Sequence, residues 1–176
     1  MSTRERWSKI LLLLGYIAML VGALDPMEGS LAILPGSALV ALGTFIGQGE
    51  RALIAYRLGV FVLIAFGVGA LFGLSALGGF GGKAGLSMWW GMLVLPYLIG
   101  LPMGILGPGN PRWVQRAGIL LGLWYLAIAV MIVRTLLKPN PSRPFFPEVL
   151  ITVCALGLVI VGGCIWRLRR RTARPA

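Results

Sequence analysis

Histidine is absent from this 176-residue chain, which has only two cysteines and five acidic residues. Histidine and cysteine supply most zinc and haem ligands, and histidine is the usual general acid or base in enzymes. The acidic residues are Glu5, Asp25, Glu28, Glu50 and Glu148, and only Asp25 and Glu28 lie close together. The sequence therefore predicts no metal ion and no cofactor, and it shows no recognisable catalytic site.

Charge is also scarce, because only 12% of the residues are charged whereas 58% are hydrophobic. In a soluble domain about a quarter of the residues are charged. The net charge of +11 comes from basic residues that flank long uncharged stretches. Such flanking is typical of a membrane orientation signal, whereas nucleic-acid binding favours one basic stripe. We therefore expect the lipid bilayer, and not nucleic acid, as the partner.

Uncharged windows predict the membrane spans, because a hydrocarbon core of about 30 Å needs about 20 helical residues. Six windows have nearly that length or more, at about residues 10–24, 26–48, 58–77, 86–106, 111–133 and 149–166. The predicted fold is all-α, a polytopic transmembrane bundle that forms a single membrane domain over residues 1–176. No ionisable residue lies deep inside these windows, so we expect no proton relay or buried ion pair.

The first window has a second interpretation as a cleavable secretory signal, because a basic start precedes a short apolar run. Cleavage would leave five spans. Retention is favoured because Asp25 and Pro26 follow the window at once, and proline beside a cleavage site is unfavourable.

The basic residues also predict orientation, because lysine and arginine are retained on the cytoplasmic side. With the amino terminus inside, twelve of the sixteen basic residues fall on the inner segments. We therefore expect both termini in the cytoplasm, at a bacterial inner membrane. The segment between the fifth and sixth spans opposes this topology, since Arg134, Lys138 and Arg143 would lie outside.

The second window begins with a helix-start pattern. Asp25 can cap the helix, Pro26 takes its first position and Glu28 follows three residues after the cap, as in a capping box. The alternative interpretation of Asp25 and Glu28 is an acidic mouth that attracts cations.

Small residues recur at helical spacing within the spans, and the chain has 26 glycines. Such faces let neighbouring helices approach closely, either inside one bundle or between subunits. The predicted packing residues are Ala65, Gly69, Gly73 and Ala76 in the third span and Gly118 and Gly122 in the fifth.

A possible solute pathway starts from Pro35, Gly36 and Ser37, because proline removes a helical hydrogen bond and transporters bind solutes at such breaks. Thr44 and Gln48 would continue its polar lining. The alternative is a static kink that neighbouring helices satisfy.

A basic segment follows the sixth span, at residues 167–176. Its arginines, Arg167, Arg169, Arg170, Arg171 and Arg174, are expected to bind anionic lipid headgroups at about 1 kcal/mol each.

These features predict an accessory or scaffold subunit that packs against other membrane proteins or against itself. A small-solute or ion pathway at Pro35 is the alternative, and a lipid-active membrane enzyme is the least favoured function.

Overall fold

The computed structural model describes residues 3–25, 28–78, 88–136 and 147–172, most of which are helical. The helices are α1 (Thr3–Gly22), α2 (Ser30–Ile46), α3 (Arg51–Ala76), α4 (Leu95–Leu106), α5 (Arg112–Leu136) and α6 (Pro147–Thr172), and a 3-10 helix (Met88–Val94) precedes α4. The all-helical class is confirmed. The chain divides into two compact units, Met1–Gly109 and Asn110–Ala176.

Three helical segments in the described part of the chain are long and apolar enough to cross a membrane: Arg51–Ala76, Arg112–Thr135 and Leu150–Arg170. The apolar segments Ser30–Ile46 and Met92–Leu106 are shorter. Helix α1 has 20 residues, but charged side chains occupy much of its first two turns. Length and composition thus support three of the six predicted spans, and the fold is compatible with a membrane location.

The candidate spans expose large apolar side chains. Val62 and Phe66 are exposed on α3, Leu120 and Met131 on α5, and Leu158 on α6. Soluble monomers rarely expose so much contiguous apolar surface, because water would drive it to associate. Lipid chains are the solvent that suits these faces.

Helices α1 and α2 form a hairpin whose backbones touch through glycine. A β-carbon on Gly15 would lie 2.7 Å from the carbonyl oxygen of Gly36, and one on Gly36 would lie 2.9 Å from that of Gly15. At the turn, a β-carbon on Gly22 would lie 2.5 Å from the carbonyl oxygen of Gly29. Any larger residue at these positions would separate the two helices.

Helix α3 packs against α4 in the same way. Gly67 of α3 lies against the backbone of Tyr97, and a β-carbon on Gly100 would lie 2.8 Å from Cγ1 of Ile64. The hydroxyl of Tyr56 donates a hydrogen bond of 2.8 Å to the carbonyl oxygen of Met103, which ties the two helices together further along their contact.

The second unit is a hairpin of α5 and α6. A β-carbon on Gly122 would lie 3.0 Å from the carbonyl oxygen of Gly157, and one on Gly157 would lie 3.0 Å from that of Gly122. Gly118, the other predicted packing residue of α5, is buried. Both cysteines belong to α6 and are free thiols.

The helix ends differ from the predicted spans at several places. Three helices extend well beyond their predicted spans: α1 begins at Thr3, not at 10, α3 begins at Arg51, not at 58, and α6 continues to Thr172, beyond 166. Helix α2, in contrast, begins later than predicted, at Ser30 and not near 26. Uncharged windows measure the length that suits hydrocarbon, whereas a helix continues through charged residues because its backbone bonds are unaffected by them. The predicted spans were therefore too short at basic ends.

Candidate functional site

The predicted pathway residues around Pro35 do not open α2. Pro35 lies inside a continuous helix and its side chain is exposed. Gly36 is buried against the α1 backbone. A β-carbon placed on it would lie 2.9 Å from the carbonyl oxygen of Gly15. The buried Ser37 donates its hydroxyl proton to the carbonyl oxygen of Leu34 at 2.8 Å. The predicted helix break is thus a close helix contact.

Thr44 and Gln48 do not extend one lining. Gln48 is exposed and lies after the end of α2 with a positive φ of 53°. Thr44 is 4% exposed, and its hydroxyl donates to the carbonyl oxygen of Val40 at 2.7 Å. Of the five proposed residues, Thr44 is the one that contacts a charged group, the side chain of Arg57.

The acidic pair lies in the turn between α1 and α2. The backbone N–H of Glu28 donates to Oδ1 of Asp25 at 3.4 Å, as expected for a cap at Asp25. The helix nevertheless begins at Ser30, after Gly29 at the cap position. Both acidic side chains are exposed, whereas Pro26 and its neighbour Met27 lie outside the described residues.

The small residues of α3 fall into two sets. The predicted face is open with respect to the described residues, because none of their atoms would lie within 4 Å of a β-carbon on Gly69 or Gly73. Ala76 is exposed and Ala65 is half-buried. The contact with α4 uses a different glycine, Gly67, which the sequence did not single out. The predicted face therefore remains unused within its own unit.

The basic segment begins on helix α6. Arg167, Arg169, Arg170 and Arg171 belong to its last turns, and Arg174 lies outside the described residues. The guanidinium carbon of Arg170 lies 3.9 Å from the centre of the Trp166 ring, a cation–π arrangement. This pair suits a membrane boundary, where indole and arginine both reach the headgroups.

Arg57 is the most unusual polar residue of the first unit. The predicted third span begins one residue after it, but Arg57 lies about two turns into α3 and is 7% exposed. Its Nη1 donates a hydrogen bond to the hydroxyl of Thr44 on α2. Its guanidinium carbon lies 5.8 Å from the centre of the Tyr16 ring on α1, and Tyr16 is 2% exposed. The guanidinium of this α3 residue thus contacts side chains of both α1 and α2.

The remaining edge of the guanidinium has no acidic partner among the described residues. Nε is buried and makes no hydrogen bond with them. Nη2 lies near Gly109, since a β-carbon on Gly109 would be 3.5 Å from it. Gly109 has a φ of 72°, a conformation that favours glycine. The turn after α4 therefore approaches the guanidinium with bare backbone.

Sequence reasoning missed this cluster because the third window was counted from the residue after Arg57. One signal was available, since Arg57 follows Arg51 by six residues with mostly apolar residues between them. A charge within an apolar helix is costly and is usually functional. Its partners on α1 and α2 depend on packing, which no local pattern specifies.

The Arg57 cluster combines one fixed positive charge with a hydroxyl and an aromatic ring. Arginine keeps its proton in proteins, so its role is binding and not proton transfer. The arrangement is suited to holding an anion and to joining α1, α2 and α3.

A second buried polar residue belongs to the other unit. Gln115 lies in the first turns of α5, is 0% exposed, and neither its Oε1 nor its Nε2 has a hydrogen-bond partner among the described residues. An unsatisfied buried amide costs stability. Burial of this amide is therefore expected to lower the stability of the second unit.

Comparisons with protein-family models, curated proteins and solved structures give no match for this chain.

Proposed function

We propose that this chain is a multi-pass integral membrane protein that serves as an accessory or scaffold subunit. It packs against the helices of another membrane protein or of a second copy. In this proposal six segments cross the bilayer, the termini face the cytoplasm and the arginines after Trp166 bind anionic headgroups. The exposed apolar faces of α3, α5 and α6 support a lipid surrounding, and the basic flanks support the orientation.

The observation that carries the proposal is the open small-residue face of α3. In the described part of the chain, nothing lies within 4 Å of a β-carbon placed on Gly69 or Gly73, whereas Gly67 on the same helix lies against the Tyr97 backbone. In lipid, helices associate where small residues let their backbones come close. The open face therefore offers a second helix the same kind of contact that Gly67 makes with α4.

The proposal predicts that filling this face releases the partner. The full chain, purified in mild detergent from its own membrane, should have the mass of a complex. Replacing both Gly69→Leu and Gly73→Leu should weaken that complex about tenfold or more, because overpacking a contact costs about 1–3 kcal/mol. Native mass spectrometry and light scattering measure the mass.

Gly59→Leu is the matched control. Gly59 lies on the same helix, and a β-carbon there also has nothing within 4 Å among the described residues. It lies about 15 Å along the helix axis from Gly69 and about 21 Å from Gly73, outside the segment that the double variant fills. The proposal requires this variant to keep the complex. A wild-type chain that purifies as a monomer, or an equal loss of the complex in the Gly59 variant, would reject it.

The solute-pathway alternative receives less support. It needs α2 to open at Pro35, and α2 runs through that residue without interruption. Gly36, which was to line the path, instead contacts α1.

A further inference from the structure

Arg57 presents a charge that its own unit does not neutralise. It is 7% exposed, and no carboxylate among the described residues pairs with it. A buried cation without an anion is strongly unfavourable, and ionisable residues within membrane segments normally have a partner. The missing partner is therefore an anion that is not part of the described chain.

The geometry of the guanidinium indicates which anion fits. Nη1 is engaged by Thr44, which leaves the edge formed by Nε and Nη2. On that edge two N–H groups point in parallel, at the spacing that matches two oxygens of an oxyanion. Nε has no hydrogen-bond partner among the described residues, so half of this fork is demonstrably unused.

The surroundings hold the fork in place. Tyr16 lies over the guanidinium at 5.8 Å, and Thr44 is itself fixed by its bond to the carbonyl oxygen of Val40. On the Nη2 side stands Gly109, where any side chain would begin 3.5 Å from that nitrogen. Glycine at this turn therefore places no side chain against Nη2.

Arg57 lies near a basic end of the first unit. Arg57 lies six residues, or about 9 Å, along α3 from Arg51 at the helix start. The amino-terminal end of α1 lies at the same end of the unit, because Nε of Arg4 donates to the carbonyl oxygen of Ile46 at 2.7 Å. The positive charges at this end attract phosphate groups, whether these belong to lipids or are free in solution.

We propose that the Nε and Nη2 edge of Arg57 binds a phosphate oxyanion, which belongs to an anionic lipid headgroup or to free phosphate. Thr44 orients the guanidinium, Tyr16 covers its face and Gly109 places no side chain against Nη2. This inference goes beyond the accessory role and does not depend on it, because the site uses α1, α2 and α3 of one chain and not the open face of α3.

The test measures thermal unfolding of the purified full chain in a neutral detergent. One arm titrates inorganic phosphate, a second adds phosphatidylglycerol and a third adds phosphatidylcholine as the zwitterionic lipid control. The wild-type unfolding temperature should rise saturably in the first arm, the second or both, and more than in the third. The arm that responds identifies the source, and native mass spectrometry should detect the bound molecule.

Variants at Arg57 assign the effect to this side chain. Arg57→Gln should abolish the rise, and Arg57→Lys, which keeps the charge but loses the fork, should weaken binding about tenfold or more. Arg51→Gln is the control, because Arg51 is an exposed arginine of the same helix, and it should respond like wild type. For each variant the rise is measured from its own unfolding temperature without a phosphate source.

Two results would overturn the proposal. The first is a wild-type chain that shows no saturable rise with either phosphate source, a result that is independent of how the variants fold. The second is an Arg57→Lys variant that responds with wild-type affinity. Loss of the α3 partner complex leaves both measurements unchanged, so failure here and failure of the accessory role are distinguishable.

Discussion

Arg57 and Gln115 are the residues at which this apolar chain departs from simple lipid packing. Arg57 is nearly buried and Gln115 is fully buried, and polar atoms of both lack partners within the described residues. Such groups cost stability unless something pairs with them. Their effects differ, because arginine keeps its charge, whereas a neutral amide can be replaced by an apolar residue of similar size.

Gln115→Leu should stabilise the protein. The substitution removes two unsatisfied polar atoms from a site that is 0% exposed, and each buried unsatisfied group costs about 1–3 kcal/mol. Thermal unfolding in detergent should therefore show a higher midpoint. Gln115→Glu, which buries a carboxylate at the same place, should lower it, and a destabilising leucine would mean that the amide is bonded in the folded protein.

Among the helices, two glycines in apolar segments have opposite roles. Gly36 of α2 lies against the α1 backbone, whereas a β-carbon on Gly69 of α3 would have nothing within 4 Å among the described residues. Both belong to apolar helices. Pro35 and Ser37 flank Gly36, but they do not indicate that this glycine packs against another helix. Position in the tertiary structure decides which glycine holds the unit together and which is open to a partner.

Gly36→Leu should destabilise the purified protein by about 1–3 kcal/mol or more, because the added side chain must push α1 and α2 apart. Gly69→Leu is the control and should leave the unfolding midpoint of the isolated chain nearly unchanged. Circular dichroism during heating measures both. Equal midpoints for the two variants would contradict the backbone contact between Gly15 and Gly36.

The sequence predicted helices well and their contacts poorly. Every one of the six apolar windows coincides with a helix, because helical structure satisfies the backbone within an apolar segment. The 3-10 helix before α4 was not predicted, and neither was the late start of α2. At the start of α2, a side chain on Gly29 would clash with the carbonyl oxygen of Gly22. The backbones of these two glycines come this close only after α1 and α2 have packed together.

The candidate site was harder to predict. Thr44 was named for a pathway with Pro35, but it is the hydrogen-bond acceptor of Arg57. Its assignment required knowing that α1, α2 and α3 meet, since the contacting residues come from three separate segments. The third window also hid Arg57, because it was started at the residue after this arginine, which was thus treated as a boundary of the span.

The molecule as a whole is suited to a lipid surrounding. Large apolar side chains remain exposed along α3, α5 and α6, and three helices have the length and composition to cross a bilayer. For such a surrounding, the basic residues predict the direction of insertion. The accessory role and the phosphate site both presuppose this placement.

The most direct test of that placement is cysteine labelling of the chain in sealed vesicles of each orientation. Cys154 and Cys164 are first replaced by alanine, and single cysteines are introduced at Thr3, Phe66 or Thr172. An impermeant maleimide should label the two terminal positions only where the cytoplasmic face is accessible, and Phe66→Cys on neither side. Labelling of positions 3 and 172 from opposite faces, labelling of position 66 in intact vesicles, or recovery of the chain from the aqueous fraction would contradict the account.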